Sequence, residues 1–199
     1  MRQVALISGF LLLPTAWLIA VSGMGMIGHM GAHMIAVAVA APLIAYGLAG
    51  TRADPAVRWP SVVAPMAMML IEFATVWLWH APAARAAADA SLLVRALEQL
   101  SFGLAGLLLW SSVLKAPARA SGIGALLLTS MHMTLLGVLI GLAPRTLYSG
   151  AHGATHGLDP LTDQQLGGVI MLLVGAAAYF LGGLALLASL LRHRPVSAA

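Results

Sequence analysis

The sequence predicts an all-α integral membrane protein, a single bundle of about six transmembrane helices with both termini cytoplasmic. Three observations carry this. Of 199 residues, 61% are hydrophobic and only 8% charged, too few polar side chains to cover a water-soluble domain. The apolar residues gather into six runs of about 20, the length that crosses a hydrocarbon core of about 30 Å. Lysine and arginine, finally, fall mostly on one side of the resulting frame. Runs of this length without alternation are helices, because in lipid the backbone must satisfy its own hydrogen bonds and barrel strands are about half as long.

The first run, 4–21, follows Arg2 and contains Pro14, which kinks a spanning helix without forbidding it. Ala20-Val21-Ser22 resembles a signal-peptide cleavage site, but the apolar stretch is longer than a signal core. In either case the chain after it starts outside the cytoplasm. The second run covers 27–49. The third, 61–79, contains Glu72 and runs into His80, and an alanine-rich outer connection follows at 81–90. The fourth, 92–114, holds Glu98 near its start, and the fifth, 122–143, has His132 about halfway. A connection of about twenty residues, 144–164, is long enough to suggest a lid or collector. The last run is 166–191. Arg2, Arg52, Arg58, Lys115, Arg119, Arg192 and Arg194 then lie inside, and only Arg85, Arg95 and Arg145 outside.

Several function classes drop out. No cysteine is present, which removes disulfides, thiolate metal sites and CxxC redox chemistry. No loop carries a dense basic run with interleaved aromatics, so the net charge of +4 does not indicate nucleic acid. No nucleophile and base are paired around a water-excluded pocket, so the chain is not read as an enzyme.

The pattern that points to chemistry is MGMIGHMGAHM at 24–34, four methionines and two histidines in eleven residues. Thioether and imidazole are soft ligands, suited to copper, and to Cu(I) above all. On a helix Met26, His29, Met30, His33 and Met34 fall within one arc of about 140°. Methionine is also a common core filler, but histidines in the same arc cost energy to bury without partners. In the membrane frame His29, His33, His80, His132, His152 and His156 all lie in the outer half or outer loops, whereas His193 lies inside. His132 is either a ligand or a hydrogen-bonding residue between helices. Glu72 and His80 keep roughly one helix face and could share a cavity; alternatively, a protonated Glu72 holds helices together. Met131, His132 and Met133 point three ways, so His132 alone of them is a candidate ligand.

LDPLTDQQLGGVIMLLVGAAAYFLGGLALL at 158–187 resembles the signature of the CtaG family, the multi-spanning cytochrome c oxidase assembly factors of the caa3 type. HMGAHM at 29–34, VWLWHAP at 76–82, LEQLSFGLAGLLLW at 97–110 and MHMTLLGVLIGLAPRTLYS at 131–149, with its Pro-x-x-x-Tyr, resemble further elements in order. The resemblance implies a helper in oxidase maturation that handles copper at the outer face of a bacterial cytoplasmic membrane. It implies His29, His33, His80 and His132 as ligands, and Asp163, Gln164 and Gln165 as outer-side candidates at the start of the last helix. The fourth helix departs from the pattern: Arg95 and Gln99 flank Glu98 where family members carry histidines. Glu98 then substitutes as a ligand, or the site leans on methionines.

The expected metal set is therefore His29, His33, Met30, Met26, Met34, His80 and His132, binding copper as Cu(I). The expected partners are oxidase subunits or other copper chaperones and membrane lipid, with a homodimer left open. Two competing readings are a b-type membrane cytochrome with axial histidines and a copper transporter using Glu72.

Overall fold

The computed structural model describes residues 1–115, 119–148 and 157–192, and the regular elements among them are all helical. They are α1 (Arg2–Val21), α2 (Gly25–Met34), a π-helical segment (Ile35–Ala40), α3 (Ala41–Leu48), α4 (Pro55–Arg58), α5 (Pro65–Trp79), α6 (Pro82–Ala90), α7 (Leu92–Leu114), α8 (Arg119–Gly141) and α9 (Pro160–Arg192). The expectations for His152, His156 and His193 lie outside the described residues.

Five helices are long and apolar enough to cross a membrane: α1, the continuous Gly25–Leu48 rod, α7, α8 and α9. Helix α5, expected as a span over 61–79, has 15 residues. At 1.5 Å per residue it is about 22 Å long, short of a hydrocarbon core. Its late start has a local cause. Pro65 takes the first helical turn, where its missing N–H costs nothing, and it forces Ala64 into an extended conformation.

Two further boundaries differ from the apolar runs. Helix α9 starts at Pro160 rather than 166, because Asp159 caps it: its Oδ1 accepts from the N–H groups of Leu161 (3.0 Å) and Thr162 (3.1 Å). A polar first turn is invisible to hydropathy but well signalled by a capping residue. The alanine-rich 81–90 connection is mostly helix, as alanine's high propensity and Pro82 in the first turn favour.

The second span is not uniformly α-helical. Pro42, early in α3, has no N–H for the carbonyl of residue 38, and its ring would crowd that carbonyl. The chain widens instead, with the Ala41 N–H reaching back five residues to the Ala36 carbonyl. Inside this segment the Val37 carbonyl accepts from Trp110 Nε1 (3.1 Å) and the Tyr179 hydroxyl (3.3 Å).

Apolar residues such as Ile7, Leu11, Leu70, Leu100, Leu135 and Leu173 face outward, whereas His33, Glu72 and Glu98 are fully buried. That inverted arrangement suits lipid surroundings. Helices α8 and α9 come into backbone contact at Gly137, Gly141 and Gly168, where a Cβ on Gly168 would stand 2.5 Å from the Gly141 nitrogen and 2.8 Å from the Gly137 carbonyl oxygen. Only glycine permits such backbone contact.

Candidate metal centre

Histidines 29 and 33 occupy successive turns of α2, and His80 closes α5 at its C-cap. Helix packing brings the three rings together. The His80 centroid is 5.2 Å from each of the other two, and those two are 6.3 Å apart. Phe102 of α7 stacks on His33 at 4.0 Å, closing one face of the cluster with an apolar ring.

The hydrogen bonds of His80 define which nitrogen is free. Its Nδ1 lies 2.7 Å from the Val76 carbonyl, a group that can only accept, so the single N–H of the neutral ring is at Nδ1. The Nε2 lone pair then faces Met30 Sδ at 3.4 Å. Neither atom carries a proton, so two electron pairs meet in a buried site. A ring nitrogen and a thioether sulfur this close could both be ligands of one soft cation. Both ring nitrogens of His33, and Nε2 of His29, are buried without a hydrogen-bond partner. Such orphaned atoms are costly unless something binds them. The donor set of imidazole nitrogens and a thioether fits a soft cation such as Cu(I). Among the described residues no three His, Cys, Asp or Glu side chains stand close enough to hold an ion. A potential set therefore has to count the Met30 thioether, which lies against His80 Nε2.

Outside the spans, Tyr148 supports the cluster from the loop after α8. Burial pushes its hydroxyl up to about 12, against the opposing influence of Arg85, so it remains a donor, to the His80 carbonyl at 3.0 Å. Arg85 reaches inward from α6. Its Nη1 lies 2.5 Å from His29 Nδ1 and 2.6 Å from Glu98 Oε1, and Nη2 is 2.7 Å from Asp89.

The remaining sequence candidates are divided. Met26 and Met34 share the α2 arc but pack toward α9: a Cβ on Gly167 would meet Met26 Cγ at 2.8 Å, and one on Gly175 would lie 3.7 Å from Met34 Sδ. The arc is wide enough to face two neighbours, so one helix side serves both the cluster and the α9 contact. His132 sits edge-on to Phe73 at 5.1 Å, with Nε2 3.9 Å from Glu72 Oε2. Glu72 also accepts a short hydrogen bond from Tyr179. Glu72 and His80 therefore belong to different groups, although they share helix α5 and its C-cap. Met131 faces outward, and Met133 is buried beside Gly175.

The Asp-Gln-Gln string serves the backbone. Asp163 accepts from the N–H groups of Met26 (2.7 Å) and Ile27 (3.1 Å), supplying the cap that α2 lacks in its own sequence. Gln164 Oε1 accepts from Leu147 N–H at 2.6 Å, its Nε2 donates to the Arg145 carbonyl at 3.3 Å, and Gln165 donates to the Ala143 carbonyl at 3.3 Å. These residues fix α2 and the Tyr148 loop, and so hold the histidines in place from outside the cluster.

Sequence reading missed Arg85, Phe102 and Tyr179 as partners of the buried polar groups. Arg85 carried one usable signal, Asp89 four residues on; Phe102 and Tyr179 look like ordinary apolar-helix aromatics.

Fold and site together define an all-helical membrane-spanning protein with a buried histidine–thioether cluster at one end. The family model of the cytochrome c oxidase caa3 assembly factor (Caa3_CtaG) matches residues 1–193. The chain belongs to this family of cytochrome c oxidase assembly factors. No curated protein and no solved structure matches it.

Proposed function

We propose that this assembly factor binds Cu(I) through His80, Met30 and His33 and hands it on for maturation of an oxidase metal centre. The observation that carries the reading is the His80 Nε2 lone pair facing Met30 Sδ at 3.4 Å inside a cluster of unpartnered imidazoles. Thioether and imidazole hold Cu(I) yet exchange readily, as delivery requires. The excess of arginine and lysine on the opposite side supports placing the cluster at the outer face of a bacterial cytoplasmic membrane; with α5 counted as a sixth, short crossing over which the bilayer thins, both termini lie inside. The partner is then an oxidase subunit or a copper chaperone reaching that face. Met26, Met34 and His132 lie around the centre as packing or relay residues.

Purified protein in detergent, loaded with Cu(I), should retain copper with both nitrogen and sulfur neighbours in its X-ray absorption spectrum. A His33→Ala, His80→Ala double variant should lose that copper and, in cells, lower the copper content of the oxidase. Equal copper retention by both proteins refutes the site.

A further inference from the structure

His29 differs from the other two histidines in what it offers the cluster. A guanidinium has N–H groups and no acceptor, so the contact of Arg85 Nη1 with His29 Nδ1 at 2.5 Å places the imidazole lone pair at Nδ1. The neutral ring then carries its hydrogen at Nε2, which is buried and unpartnered. His80 holds the opposite tautomer, with its hydrogen on the Val76 carbonyl and its lone pair toward Met30. While Arg85 stays in place, His29 has no lone pair at Nε2 to give a metal.

The groups for an alternative arrangement are already neighbours. Glu98 Oε2 is buried without a hydrogen-bond partner and lies 3.8 Å from His29 Nδ1, while Glu98 Oε1 holds Arg85. If Arg85 swings away, it keeps Asp89 on its own helix, and the His29 proton can move from Nε2 to Nδ1, where Glu98 accepts it. No proton is gained or lost. The result is a carboxylate–histidine–metal arrangement, in which a hydrogen-bonded carboxylate orients a ligating imidazole.

We propose that Arg85 is a displaceable guard on His29: with Arg85 bound the centre offers His33, His80 and Met30, and on its withdrawal Glu98 positions His29 as a further ligand. The inference rests on the copper reading above. It makes α6 the element that changes ligand number between holding and tightly retaining the ion, and it gives Glu98 the role of positioning residue.

Nitrogen-15 NMR of histidine-labelled full-length protein in detergent, metal-free, reads the tautomers directly. Cu(I) titration against a competing chelator reads affinity. In the unmodified protein His29 should be protonated at Nε2; in Arg85→Met it should be protonated at Nδ1, with Cu(I) bound at least about tenfold more tightly and one more nitrogen neighbour. Adding Glu98→Gln should reverse the gain by about 10–100-fold. The double variant leaves no unpaired buried charge, which guards against loss of fold. Arg85→Lys, which keeps a cationic donor, should retain the original tautomer. An unchanged His29 tautomer in Arg85→Met, or unchanged or weaker copper binding, overturns the guard while the copper reading stands. If no form binds Cu(I), the copper reading fails and takes the guard with it.

Discussion

Replacing Asp163 with alanine separates a structural from a metal-binding role for the most family-specific part of the chain. The side chain accepts two hydrogen bonds, at 2.7 and 3.1 Å, from the first-turn amides of α2. Hydrogen bonds to a charged group contribute about 1.5–3 kcal/mol each. Their joint loss should therefore cost about 3–6 kcal/mol, a large share of the ~5–15 kcal/mol that holds a typical domain folded. Asp163→Asn keeps one acceptor but presents an N–H₂ to the second amide, and should fall between. Reversible unfolding in mixed micelles, followed by helix signal, measures the difference. Copper stoichiometry of the remaining folded fraction should stay unchanged. An alanine variant within about 0.5 kcal/mol of the unmodified protein would refute the capping argument. One that loses copper at full stability would make Asp163 a ligand instead.

Tyr179→Phe removes the donor that Glu72 and the Val37 carbonyl share; it should destabilise by about 1–2 kcal/mol in the same unfolding assay, with copper stoichiometry unaffected. Gly168→Leu forces α8 and α9 apart, since even its Cβ would stand 2.5 Å from the Gly141 nitrogen and 2.8 Å from the Gly137 carbonyl oxygen, and should cost about 1–3 kcal/mol or more, visible as a lower thermal midpoint. Asp159, hydrogen-bonded to Thr162, has its carboxyl held below the ordinary 3.8. A lowered folded-state value means that the cap stabilises fully above the unfolded value and is lost as pH falls through the folded one. The difference in thermal midpoint between the protein and Asp159→Asn should persist at neutral pH and vanish in strong acid.

The membrane-spanning helical class is legible from composition and run length because lipid leaves the backbone few choices: a long apolar run must close its own hydrogen bonds. The MGMIGHMGAHM string predicts soft-metal chemistry for the proposed site, since ligand softness is a property of the side chains themselves. Boundaries read less well where polar residues start a helix, as at Pro160, or where proline delays one, as at Pro65. The partition of the α2 methionines is not written in the arc. Met30 joins His80 while Met26 and Met34 meet glycines of α9, because which helix lies against which part of a wide face depends on packing between segments far apart in the chain. The tautomer of His29 depends on the same kind of distant meeting, with Arg85; that of His80 is set locally by the Val76 carbonyl four residues back, and only the thioether its lone pair meets, Met30, comes from a distant segment. Residue types thus limit which ions the proposed centre would suit. Three-dimensional packing establishes which lone pairs face it, because a lone pair's direction depends on the hydrogen bond its ring makes elsewhere.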